Sequence, residues 1–179
     1  MQDGDLLIEW IADIERDVRS EIEHLSQDQL DWQPAHQMNS IGLTVWHFSR
    51  WLDVILVRGL QNKPSEQEQW FTRGWKDKTG YDPSGKGYRG FGAITGFTWE
   101  EAQAVPSLSS GDLLTYLRQV SNALQEHLQL LGSEALHQPT PGLGSERTAY
   151  GWLRPVVQGC LGHIGEIQTL KTMQTKIKS

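Results

Sequence analysis

Two histidines carry the clearest chemical signal in the sequence. His163 stands in Gly162-His163-Ile164-Gly165-Glu166-Ile167 and His47 in Val45-Trp46-His47-Phe48, each inside a stretch whose apolar spacing predicts a helix. If those helices pack side by side, two imidazole nitrogens meet in one interior, where they can bind a divalent metal or hydrogen-bond a small molecule. Two imidazoles do not complete a metal site, so a third donor decides the chemistry. Cys160, three positions before His163, lies toward the same helix face. It offers either a thiolate to a borderline metal or simple packing. Glu166, three positions after His163, offers a carboxylate that points inward as a ligand or supports an imidazole by a hydrogen bond. The other histidines, His24, His36, His127 and His137, have no partner at ligand spacing.

Positioning these residues takes four long helices. Leu7, Ile11, Ile14, Val18, Ile22 and Leu25 recur at three- and four-residue spacing between charged residues, which predicts an amphipathic first helix over 6–25. Leu30 and Trp32 follow in a short helical turn that Pro34 ends. Asn39 and Ser40 are good caps for a second helix over 41–60, apolar round most of its circumference and therefore buried, with Leu43, Trp51 and Val54 on the face of His47. A third helix starts after Ser109 and Ser110 and follows Leu113, Leu117, Val120, Leu124 and Leu128 to Gly132. Pro139, Pro141, Gly142 and Gly144 make the next loop, and the last helix covers about 148–176. Pro155 inside it predicts either a regular start near Arg154 or a kink.

Residues 61–108 show no sustained period and are punctuated by Gly and Pro. A structureless loop of that length is improbable in a compact domain, so short helical turns are expected around 66–71 and 99–104. Trp70, Trp75, Tyr81, Tyr88, Phe91 and Trp99 are expected to pin this segment onto the bundle or onto a partner. The whole reads as an all-α, single-domain four-helix bundle with one long crossover between its second and third helices.

Composition narrows the function classes. A formal net charge of −6 and a pI near 5.5 argue against a general nucleic-acid binder, which needs a basic face. A single cysteine permits no internal disulfide and no thiolate cage, which suits a reducing compartment. The first residues lack the basic start and apolar run of a signal peptide, and no stretch reaches the ~18 apolar residues of a membrane span. A cytoplasmic protein with no membrane partner is expected.

The approach Leu30-Asp31-Trp32-Gln33-Pro34, the second-helix start Asn39-Ser40-Ile41-Gly42-Leu43-Thr44-Val45-Trp46-His47-Phe48 and the segment 162–167 together resemble the DinB-like superfamily over nearly the whole chain. The resemblance implies the four-helix bundle with its long link, commonly as a homodimer. It also implies three histidines that bind a divalent metal, zinc or nickel among them, with thiol-dependent transferases or isomerases among the relatives. His47 matches the ligand of the second helix, and His163 matches the second member of a His-x-x-x-His pair. The first member falls on Gly159, which supplies no ligand. Three readings stay open. One is a metal-dependent hydrolase or thiol-dependent transferase using His47, His163 and a substitute donor such as Cys160, Glu166 or water. Another is a metal-free binder of a small molecule, and the third a dimeric interaction module built on segment 66–104.

Overall fold

The computed structural model describes residues 3–140, 142–143 and 146–177, so Pro141 and Gly144 of the expected loop lie outside the described residues. The first apolar stripe forms helix α1, Asp3–Ile22, and Leu7, Ile11, Ile14, Val18 and Ile22 are all fully buried along one face. Each such side chain contributes roughly 1.5–3 kcal/mol by leaving water. Helix α2, Gln27–Asp31, is set by a capping box in which Ser26 and Gln29 satisfy each other's backbone N–H. Helix α3, Ile41–Val54, starts where the Ser40 hydroxyl accepts from the Leu43 N–H.

The α-helix expected to reach residue 60 stops at Val54, and Ile55–Leu60 continue as a π-helix. Its hydrogen bonds reach one residue further back, as in Gln61 N–H to the Leu56 carbonyl. The wider turn changes which side chains share a face. Ile55, Leu56 and Val57 are all buried, while Arg58 reaches back to pair with Glu68.

Helix α4, Gln69–Thr72, helix α5, Trp75–Thr79, and helix α6, Trp99–Gln103, punctuate the crossover, the first and last close to the expected turns. Helix α7, Ser110–Leu131, is capped by Ser109 and ends at Gly132, whose φ of 74° reverses the chain. A short helix α8, Ser133–Leu136, was not foreseen in the sequence. Helix α9, Ala149–Ile177, has nearly the expected bounds and runs through Pro155, which rules out the alternative of a regular start near Arg154. Pro155 is exposed, and it denies the Gly151 carbonyl its helical hydrogen bond.

α1 and α3 each pack chiefly against α7 and α9, so they occupy opposite corners around one core. Gly42, early in α3, lies against Leu113, early in α7, so these two neighbours run in the same direction. A parallel connection must travel back along the bundle, which accounts for the length of the crossover. Trp70, Trp75, Tyr81 and Phe91 are buried and fasten it down, with the Trp70 ring edge-on to Trp46 and to Tyr116 at 5.7 and 5.2 Å. Among the described residues no helix is long and apolar enough to cross a membrane.

Candidate functional site

The crossover reaches α3 through four successive backbone carbonyls. His47 Nδ1 lies 2.6 Å from the Ala93 carbonyl, Arg50 Nε donates to Gly92 and Nη2 to Phe91, and Arg58 Nη1 donates to Gly90. Behind this row sits a buried ionic network. Arg50 donates to Asp53, to Glu68 at 2.7 Å and to the Tyr116 hydroxyl, while Asp53 accepts from Tyr116 and from the backbone N–H groups of Gln69 and Trp70. Arg50, Asp53 and Glu68 are wholly shielded from solvent. Burial pushes the Asp53 carboxyl up to about 6 while Arg50 and the two N–H donors pull it down, so it is ionised at neutral pH.

His47 and His163 do meet. Their rings are 5.2 Å apart between centroids and nearly perpendicular, and Phe48 stacks on the His163 ring at 6.2 Å. His163 Nδ1 lies 2.7 Å from Glu166 Oε2, one helical turn along α9. Each ring therefore has its Nδ1 held by a protein oxygen, which favours the tautomer that keeps the Nε2 lone pair for the interior. Burial lowers the His47 pKa to about 4, more than the Ala93 carbonyl raises it, so this imidazole is neutral at physiological pH.

Both histidines line a cavity of about 480 Å³ between α3, α9 and the crossover. Trp51, Phe91 and Trp152 form its aromatic walls, and Arg89 and Arg147 are its cationic members. Gly159 and Cys160 also line it. A Cβ at Gly159 would meet nothing within 4 Å, so the position that lacks the third imidazole is open space. Cys160 is buried, and its thiol is pushed up to about 12, chiefly by that burial. Glu166 is engaged with His163. Among the described residues no group of three or more His, Cys, Asp or Glu side chains gathers closely enough to hold an ion. The residues present thus fit two imidazole ligands of a divalent metal, with their outer hydrogen bonds in place. The other histidines stand apart from this cavity, His137 pairing instead with Asp3.

The sequence reading did not single out Arg50, Asp53, Glu68 or Arg147. For the first two a signal existed, since an Arg and an Asp three apart in a helix apolar on every side must be buried and must pair. Glu68, Arg89 and Arg147 lie in aperiodic segments, where spacing carries no information about direction.

A sequence profile described as the DinB superfamily matches residues 12–167. A crystal structure of a conserved protein from Enterococcus faecalis is similar over 95% of both chains, with a TM-score of 0.77 at 18% sequence identity. A likeness at that identity speaks for the fold. No curated protein matches the chain.

Proposed function

The chain belongs to the DinB superfamily, and on that footing we propose that it binds a small organic molecule in the cavity between α3 and α9, with the imidazoles of His47 and His163 as its polar centre. One observation carries this reading. Both Nδ1 atoms are tied to protein oxygens, which leaves two Nε2 atoms to a cavity of a size that suits a drug-sized ligand. The largely apolar lining lowers the local dielectric, which strengthens hydrogen bonds to those nitrogens relative to bulk water. The neutral fluorophore N-phenyl-1-naphthylamine is expected to bind at one site per chain and to be displaced by Val156→Trp, which fills the cavity from α9. Undiminished binding to that variant would sink the proposal.

The same anchored rings favour a second reading, because an Nδ1 held by a carbonyl or carboxylate is how proteins orient metal-binding histidines. His47 and His163 would hold a divalent ion, zinc or nickel, through Nε2, with the organic ligand or water in the remaining positions. Such an ion supplies Lewis acidity toward water or a thiol, in keeping with a hydrolase or a thiol-dependent transferase. Metal content per chain, measured without an affinity tag after zinc or nickel loading and dialysis, tests this. Retention by wild type and loss in His163→Ala support it, whereas full retention in that variant overturns it. A homodimer belongs to the same reading, on the strength of the family resemblance. Light scattering at micromolar concentration distinguishes dimer from monomer.

A further inference from the structure

Resting on the cavity reading above, we infer that the ligand is an organic anion, with a flat apolar body between Trp51, Phe91 and Trp152 and its charged head at the mouth between Arg89 and Arg147. The two arginines are the charged residues among the described lining, which holds no Asp or Glu. In a chain of net charge −6, a cavity with cations and no acid is a local inversion of the surface field.

The arginines come from the two segments that frame the opening. Arg89 belongs to the crossover and donates from Nη2 to the carbonyl of Leu143, in the loop before α9. Arg147 comes from that same loop, and its guanidinium lies over the Trp152 ring at 4.9 Å. Arg89 is held at a φ of 52°, left-handed for a non-glycine residue, with Gly87 and Gly90 beside it at 62° and 69°. Such strain persists where the surroundings require a side chain in one place. The Arg89–Leu143 bond occupies one of five guanidinium donors, leaving others for a carboxylate. Trp152 contributes its ring to the lining, with the Arg147 guanidinium over it. Flat aromatic walls and cations at the rim together match an aromatic or alicyclic carboxylate.

Isothermal titration of the full chain in EDTA with 2-naphthoate and its neutral isostere 2-naphthamide tests this. The naphthoate is expected to bind roughly tenfold more tightly, the size of a charge-assisted hydrogen bond, and to lose most of that advantage in higher salt. In Arg89→Gln combined with Arg147→Gln its affinity should fall to that of the amide, while the amide binds as before and so reports an intact fold. Equal affinity of the two probes for wild type, or a preference that survives in the double variant, overturns the anion assignment and leaves the cavity reading standing. Binding of neither probe overturns both.

Discussion

Of the two imidazoles, His47 resists protonation. Its pKa near 4 in the folded chain lies below the ordinary 6.5, so the unfolded chain binds the proton more readily between those values. The stability this group contributes is complete above pH 6.5 and is lost as the pH falls toward 4, by roughly 3 kcal/mol at the limit. Asp53 acts the other way over part of the same range. Its folded pKa of about 6 exceeds the ordinary 3.8, so its contribution is complete below 3.8 and is lost as the pH rises through 6. Urea denaturation in EDTA at pH 7.0 and 5.0 should therefore show a steeper acid loss for wild type than for His47→Gln. Equal losses would mean that the imidazole is already charged in the native state.

Gly159 is the residue at which the site's chemistry turns. Space around it is open and it sits within regular helix, so a side chain costs no contact and gains helix propensity, up to about 1 kcal/mol. Gly159→His would place a third imidazole one turn before His163. The variant is expected to retain about one zinc per chain through dialysis and to melt at a higher temperature with zinc than without. Failure to gain zinc would indicate that the two native imidazoles do not aim at a common point.

At the scale of elements, α3 is the spine. It carries His47 toward the cavity and Arg50 and Asp53 toward the crossover, and its π-helical extension turns Arg58 onto Glu68. Removing one member of a buried ion pair strands the other, which costs far more than the intact pair contributes. Asp53→Ala would leave Arg50 facing Glu68 alone, and would free the N–H groups of Gln69 and Trp70. A loss of 3–5 kcal/mol is expected from chemical denaturation. A loss below 1 kcal/mol would show that the Asp53 contacts to Arg50, Gln69 and Trp70 do little to hold the crossover.

The long helices were legible because burial imposes a period, and the buried Leu7, Ile11, Ile14, Val18 and Ile22 of α1 recur at that period. The meeting of His47 and His163 followed from helix assignment and family resemblance together. The π-helix was not legible, since Ile55, Leu56 and Val57 suit an α-helix equally well and only the longer backbone hydrogen bonds, such as Gln61 N–H to the Leu56 carbonyl, distinguish the two. Nor could spacing foresee that Arg89 and Arg147 converge on one cavity, because neither lies in a periodic segment. Pro155 misled in the opposite direction, since a helix of 29 residues continues through the one hydrogen bond it loses there.

For the molecule as a whole, the crossover belongs to the core. Trp70 and Trp75 contact Tyr116 of α7, and the same tyrosine hydrogen-bonds Asp53 of α3. Helix content and aromatic packing should therefore be lost in a single transition. Thermal melts followed by far-ultraviolet and near-ultraviolet circular dichroism are expected to coincide. An earlier near-ultraviolet transition would identify the crossover as a separately melting unit.

The row of carbonyls from Gly90 to Ala93 distributes evolutionary constraint unevenly. Any residue provides a backbone carbonyl, so on the crossover side it is the path of the chain that must be preserved, through turns such as Gly90 and Gly92 at φ of 69° and 65°. On the helix side the donors are specific groups, His47, Arg50 and Arg58, for which few substitutes exist. Descendants of this chain could thus diversify the loop's side chains, and with them the shape of the cavity, while the imidazole keeps its tautomer.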